Sequence, residues 1–371
     1  MLSAENFAPV ARLLGLDSLQ SLSIVDGKTL STRHVPPFPP DAPALVTAIE
    51  TETQLEQVYR VLRAVYSLDH VIRLVRFPVG EVTETNLGSI PGEKHMEHAA
   101  SVSLYLPPLP VGTSFEAFQE IIAHLRAPDG CPWDREQTHQ TLRKHLLEES
   151  YETLSAMDAD DPAKMREEFG DLLLQVVLNA QIGQEYGEFT MNEVLKGIYD
   201  KIIRRHPHVF GQVEVDGVGQ VLSNWESIKK EERRKNGEGE KSLLDGVPAA
   251  LPALSQAQEY QERAARVGFD WPEIDGVLEK IREEIEEVRR SANPNELADE
   301  LGDLFFALVN LARWKDIDAE AALRATSRKF KKRFGYIEQR AQEMGRAMKE
   351  MSLQELDDLW NEAKAQGAGQ A

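Results

Sequence analysis

Residues 168–182 read Glu168-Phe169-Gly170-Asp171-Leu172-Leu173-Leu174-Gln175-Val176-Val177-Leu178-Asn179-Ala180-Gln181-Ile182. Placed on a helix at about 100° per residue, this stretch has apolar side chains on almost every face. Asp171 falls between Leu178 and Ile182. A helix that is apolar all round is a buried one, so the pattern predicts a buried helix with acids on it. The pattern returns as Glu300-Leu-Gly-Asp303-Leu-Phe-Phe-Ala-Leu-Val309, with Asn310 two turns after Asp303 on the same face.

Each stretch follows a second acidic helix. Glu148-Glu149-Ser-Tyr-Glu152 precedes the first, and Glu283-Glu284-Ile-Glu-Glu287 precedes the second. Residues three apart share a helix face, so Glu149 pairs with Glu152, Glu168 with Asp171, Glu284 with Glu287 and Glu300 with Asp303. Two antiparallel helices then bring four carboxylates together. Downstream, Lys201 and Arg205 match Lys329 and Arg333 in spacing, and prolines 162 and 294 open the two Glu-x-x-Asp helices. These correspondences describe one helical unit present twice.

Buried carboxylates repel one another and lose hydration, so they must be protonated, paired with cations or bound to metal. Runs of Glu on helices usually form a solvated face, and one Glu-Glu-x-x-Glu alone would read that way. Paired with Glu-x-x-Asp on a buried helix, and seen twice, the acids read as a metal site. Oxygen donors without His or Cys suit a hard cation: Mg²⁺ or Mn²⁺ fits, and zinc fits poorly. Carboxylate-held Mg²⁺ leaves positions for water and phosphates, and a triphosphate needs further cations. Lys201, Arg204 and Arg205 in one unit, and Lys329, Lys331, Lys332 and Arg333 in the other, could serve. They could equally be cations favoured at a helix C-terminus. Trp133 and Trp360 could stack on a base or pack as edge aromatics. His206-Pro-His208 has no third metal ligand near it and reads as structural.

The 371 residues exceed one hydrophobic core and point to two or three domains. A hydrophobic share of 42 % with 28 % charged residues is that of a soluble globular chain. The net charge of −20 repels nucleic-acid backbones and anionic membranes, so neither is expected as a partner. No apolar run approaches the ~18 residues of a membrane span. No secretory signal is visible at the N-terminus. The one cysteine, Cys131, excludes an intrachain disulfide and fits a reducing cytoplasm. It reads as a packed thiol.

Residues 1 to about 110 mix strand and helix patterns. Leu22–Val25, Leu45–Ile49, Val71–Arg76 and Val102–Leu106 read as strands. Thr53-Gln-Leu-Glu56 reads as a capping box opening a helix toward Tyr66. Pro107-Pro-Leu-Pro110 marks a boundary. Helical patterns follow from Thr113-Ser-Phe-Glu116, a second capping box. Helices are expected over roughly Thr138–Met157, from Asp161-Pro162 to about Gly187, and from Thr190 to near His206. Lys229–Lys235 reads as a mixed-charge helix face. The organisation expected is an N-terminal segment over 1–110, a first helical repeat over 111–235, a linker over 236–250 and a second repeat over 251–371.

These residues, in this order, resemble the MazG family of nucleotide pyrophosphohydrolases. The stretches that carry it include GCPWDREQTHQTLRKHLLEESYE, EEFGDLLLQVVLNAQ, KIIRRHPHVF, VGFDWP and ELGDLFFALVNLARW, within residues 112 to 365. The resemblance implies a mainly α fold of two helical-bundle repeats, commonly dimeric, behind a smaller N-terminal α/β domain. It implies Mg²⁺-dependent hydrolysis of nucleoside triphosphates to monophosphate and pyrophosphate. The implied metal ligands are Glu149, Glu152, Glu168, Asp171, Glu284, Glu287, Glu300 and Asp303. Lys280, Lys329 and Arg333 match positions facing the phosphates, and Trp360 matches a base-stacking position. Glu148 and Glu283, the first acids of each motif, are our candidates to take a proton from the attacking water. The first 110 residues resemble the C-terminal lobe of a tetrapyrrole methylase. The Gly-rich methyl-donor loop is missing, so no methyl transfer is expected, and a role in folding, assembly or regulation is. Two other classes are a Mg–nucleotide sensor without turnover and a helical scaffold tied to tetrapyrrole metabolism. The intact double set of acids argues against both.

Overall fold

The computed structural model describes residues 10, 12–16, 21–92, 94–235 and 242–367, without the side chains at 226, 230 and 233. Asn236–Glu240, expected as linker, lies outside the described residues. The chain is mainly helical and forms two compact units: Met1–Lys144 with Leu174–Met191, and His145–Leu173 with Asn192–Ala371.

The first unit begins with β1 (Ser23–Asp26), α1 (Gly27–Leu30), β2 (Ala44–Ile49), α2 (Glu52–Leu62), β3 (Val71–Phe77), β4 (Glu81–Asn86) and β5 (Ser101–Leu106). The sheet order is β1-β2-β5-β3-β4, parallel between β1 and β2 and antiparallel elsewhere. Alternate residues of a strand face opposite sides. Val46, Leu74 and Leu104 accordingly enter one core with Leu55, Val58 and Leu62 of α2. Leu45, Val75 and Tyr105 enter another with Leu14 and Leu16. The helix expected to open at Thr53 is capped by Thr51, whose side chain accepts from Gln54 N at 3.1 Å. It ends at Leu62, short of Tyr66. The expected strands are present, but β4 has no counterpart in the sequence reading. Its Glu-Val-Thr-Glu-Thr-Asn lies at the sheet edge and buries neither face, so it carries no hydrophobic alternation.

Helix α3 (Phe115–Arg126) is capped by Ser114, which accepts from Ala117 N at 3.1 Å. The short α4 (Pro132–Glu136) follows Cys131, a free half-buried thiol. Then come the long helices α5 (His139–Asp158) and α6 (Pro162–Tyr186). Ile122, Leu142, Val177, Leu178 and Ile182 form the apolar contact among them. Arg126 is buried beside this contact. Its guanidinium bonds Glu185 at 2.7 Å and donates to the carbonyls of Asp134 and Gln137. One cation thereby fixes the loop and α4 ahead of α5.

The second unit continues with α7 (Met191–Arg205), α8 (Pro207–Phe210), α9 (Gly217–Lys235), α10 (Ala253–Arg266), α11 (Ile274–Arg290), α12 (Pro294–Trp314), α13 (Ala319–Glu343) and α14 (Leu353–Ala365). Helix α11 packs on α12, α10 on α12, and α13 on α14. Asp270 of the VGFDWP stretch accepts from Arg313 at 2.6 Å and from the Trp314 indole at 3.2 Å, which ties that loop to the end of α12. Among the described residues, no helix is long and apolar enough to cross a membrane.

Removing a buried charge's partner, or the charge that satisfies several acceptors, costs a few kcal/mol. Arg126→Ala is therefore expected to lower stability by about 2–3 kcal/mol in urea unfolding, against less than about 1 kcal/mol for the exposed pair partner Arg73→Ala. Equal losses would contradict the role given to Arg126.

Candidate active site

The acids of both repeats are set by how their helices start. Asp161 caps α6, accepting from Ala163 N and Lys164 N at 3.0 and 3.1 Å, and Pro162 occupies the first turn. Asn293 caps α12 in the same way, accepting from Asn295 N and Glu296 N at 3.1 and 3.0 Å, with Pro294 next. Each first acid then follows six residues after the proline: Glu168 in one repeat, Glu300 in the other. The turn between α5 and α6 is tight, with Asp160 at φ +49° in the left-handed region that Asp tolerates. It folds α6 back along α5, and Thr153 Oγ1 of α5 donates to the Glu149 carbonyl at 2.7 Å.

The structure brings Glu149, Glu152 and Glu168 together, with one carboxylate oxygen of each within 4.8 Å of the others. Glu284, Glu287 and Glu300 form the matching group in the second repeat, within the same distance. Asp171 and Asp303 stand outside these three-acid groups but close enough to act on them. Burial, then the charges of Asp171, Glu152, Glu168 and Glu148, raise the Glu149 pKa above the usual carboxylate range. Burial, then the charges of Glu287, Glu284, Asp303 and Glu296, raise that of Glu300.

Burial is distributed differently from the sequence expectation. Asp171 is half-buried and Asp303 is exposed. The deeply buried acids are Glu168, 1 % exposed, and Glu284, 2 % exposed. Each acid-bearing helix is covered on one face only. The other apolar face is open, leaving Phe169, Leu173 and Val176 of α6 and Leu301, Phe305 and Leu308 of α12 exposed. The wheel showed apolar residues all round but could not tell which faces the chain itself covers. Glu284 had a signal available, since it stands seven residues after the buried Val277 on the same face of α11.

Each buried carboxylate has a lysine beside one of its oxygens. Lys164 Nζ lies 2.7 Å from Glu168 Oε1, and Lys280 Nζ lies 2.6 Å from Glu284 Oε1. Oε2 of each glutamate is buried without a hydrogen-bond partner. An unpartnered buried carboxylate oxygen beside two further acids matches the all-oxygen donor set of a hard divalent cation. The residues present thus fit Mg²⁺ or Mn²⁺. Lys164 was not among the candidates from sequence. Its i,i+4 spacing to Glu168 is visible there but is common to many surface pairs.

Glu148 and Glu283 point outward, with side chains 63 % and 57 % exposed, paired with His145 at 3.2 Å and Lys280 at 3.1 Å. The cations expected to meet phosphates are placed unequally. Arg204 and Arg205 are both engaged by Glu232 of α9, at 2.6 and 2.7 Å, and hydrogen bonds from Arg205 chiefly hold the Glu232 pKa down at about 2. The mixed-charge face of α9 thereby occupies the two arginines, and Lys201 stays exposed. In the second repeat Lys329 is exposed on α13. The Arg333 guanidinium lies over the Trp360 ring, 5.4 Å from its centre, and Phe330 meets the same ring at 5.3 Å. Trp133 is 56 % exposed. His206 bonds the Ile202 carbonyl at 2.7 Å and meets the edge of Trp225, a structural placement.

Comparison with known proteins assigns these repeats. The model of the MazG nucleotide pyrophosphohydrolase domain matches residues 137–210 and 273–337, one match on each pair of acid-bearing helices. The nucleoside triphosphate pyrophosphohydrolase/pyrophosphatase MazG of Thermotoga maritima is 44 % identical over 253 residues, 68 % of this chain and 96 % of that protein. A nucleoside triphosphate pyrophosphohydrolase of Escherichia coli K12 is 43 % identical over 252 residues, 66 % of this chain and 95 % of that protein. The uncharacterized protein YabN of Bacillus subtilis is 49 % identical over 270 residues, 71 % of this chain but only 55 % of that protein. With two matched repeats and relatives covered almost end to end, the chain belongs to the MazG family of nucleotide pyrophosphohydrolases and is an enzyme of that class.

Proposed function

We propose that the chain hydrolyses nucleoside triphosphates, ribo- or deoxyribo-, between the α and β phosphates, giving a monophosphate and pyrophosphate. The observation that carries this reading is the buried, unpartnered carboxylate oxygen of Glu168 and of Glu284. Each is grouped with two more acids inside a family-matched segment. Glu149, Glu152, Glu168 and Asp171 would hold Mg²⁺ or Mn²⁺ in the first repeat, and Glu284, Glu287, Glu300 and Asp303 in the second. When bound, such a cation supplies neutralisation of phosphate charge and Lewis-acid polarisation at the α-phosphorus. The chain's own groups do the rest. Lys280, Lys329 and Arg333 receive the phosphates and stabilise charge on the leaving pyrophosphate, with Lys201 and Arg205 in the corresponding part of the first repeat. Trp360, already flanked by Phe330 and Arg333, offers its ring to the base. Glu148 and Glu283, solvent-facing beside the acid groups, take the proton of the attacking water. Clearance of surplus or non-standard nucleotides is the cellular role we assign to this reaction.

The open apolar faces of α6 and α12 support a homodimer in which a second copy covers them. Light scattering is expected to report a dimer for the native chain and a monomer for Phe305→Lys/Leu308→Lys. A monomeric native chain would refute the assembly.

Product analysis tests the reaction. With a panel of triphosphates and Mg²⁺, monophosphate and pyrophosphate are expected, and Glu168→Gln/Glu300→Gln should lower kcat on the order of 100-fold. Binding without turnover would instead make the chain a sensor. A Glu283→Gln variant with full turnover would remove the proton-acceptor role.

The raised pKa values of Glu149 and Glu300 set a pH dependence. A raised carboxyl holds its proton to higher pH, so protons compete with the cation above the ordinary carboxylate range. Mn²⁺ affinity, measured by calorimetry, should therefore fall on acidification from about pH 7 to about pH 5. The same raised pKa favours the folded metal-free state at low pH. That contribution is fully present below the unfolded-state pKa and is lost as pH rises through the folded one. Glu300→Gln should accordingly gain metal-free melting temperature over the wild type at neutral pH, with the gain vanishing on acidification.

A further inference from the structure

The two repeats place their internal lysine on opposite helices. Two residues after the helix-opening proline stands Lys164 in α6 and Glu296 in α12. Glu296 serves its own helix start, accepting from Ala292 N at 2.9 Å. Lys164 instead reaches Glu167 at 3.2 Å and the buried Glu168 at 2.7 Å. On the preceding helix, four residues before the second acid of the motif, stands His145 in α5 and Lys280 in α11. His145 pairs outward with Glu148, while Lys280 reaches the buried Glu284 at 2.6 Å. Each repeat thus has one ammonium on its one deeply buried carboxylate, supplied from the first helix by Lys280 in one repeat and from the second helix by Lys164 in the other.

The ammonium of Lys164 is not sealed in, since its side chain is 49 % exposed while Glu168 is 1 % exposed. Its head sits at the mouth of the group on a flexible four-carbon stem. A divalent cation that gathers three carboxylates outcompetes one monovalent head for Glu168. The freed ammonium then remains at that mouth, where the nearest new anion is a polyphosphate. The arginines of α7 are held by Glu232, whereas the Lys164 ammonium already lies on the acid group itself.

We propose that Lys164 is a further phosphate-binding cation of the first repeat, beside Lys201 and Arg205: it rests on Glu168 while the acids are metal-free and turns to the triphosphate once a divalent cation takes the carboxylate over. This rests on the pyrophosphohydrolase reading above.

The test uses the full chain with its second repeat disabled by Glu287→Gln/Glu300→Gln, and calorimetry with Mn²⁺ alone, then with a non-hydrolysable triphosphate. Adding Lys164→Met should tighten Mn²⁺ about fivefold and weaken the Mn²⁺-dependent binding of the analogue about tenfold. Lys164→Arg should retain analogue binding. The exposed Arg166, two residues away, controls for bulk charge, and Arg166→Met should move neither affinity. Unchanged Mn²⁺ affinity in Lys164→Met, unchanged analogue binding, or equal shifts in Arg166→Met would each overturn the proposal while leaving the enzyme reading intact. A parent protein that binds no Mn²⁺ overturns both. Should Lys164→Met fail to fold, the ¹³C signal of reductively methylated Lys164 decides in the unsubstituted chain. It must move when Mg²⁺ saturates the protein, and a static signal refutes the displacement.

Discussion

Carboxylates gathered between two packed helices repel one another, and this repulsion governs how each repeat is built. Three acids with oxygens within 4.8 Å, one of them almost fully buried, destabilise the fold unless a cation is present. The chain answers first with its own lysines, on Glu168 and on Glu284. The proline-opened, Asx-capped helix starts keep the acids in register, because the cap fixes where the helix begins and so which residues face the partner. Thr153, whose Oγ1 reaches across to the Glu168 carbonyl at 3.5 Å, and the tight turn at Asp160 hold the first pair closed. The site is therefore expensive to assemble and ready to receive a divalent ion.

A second consequence concerns the apolar residues around the acids. Helices α6 and α12 carry more hydrophobic surface than one chain covers. The aromatic and leucine side chains left exposed sit on the same helices as the acids. Any body that covered those faces would also restrict how far the acids can spread, because both sit on the same helices.

Much of this was readable in the residues alone. Hydrophobic periodicity and the doubled acid motifs gave the mainly helical class, the repeat and the four strands with apolar alternation. The reading failed where the sequence carries no periodic signal. Strand β4 mixes Glu, Thr and Asn with a single Val at a sheet edge, so pairing with β3 alone defines it. It failed also where burial depends on what lies opposite. Asp303 was expected inside and is exposed, whereas Glu284 was read only as part of a motif and is sealed. Arg205 shows the same limit, since its engagement by Glu232 depends on a helix whose charges read as a solvated face. Spacing reports which residues share a face, and tertiary packing decides which face is covered.

The polar character of β4 reaches beyond the fold of one molecule. An outermost strand presents a row of unpaired amides and carbonyls that another chain could extend. Here that rim carries Glu81 and Glu84, on a chain with net charge −20. Both carboxylates pair inward with Arg76 and Arg73 of β3 at 3.2 Å, so an approaching rim would have to disturb these pairs as well as meet a net-negative chain. The same residues that hid this strand from the sequence reading thus discourage runaway sheet growth between molecules.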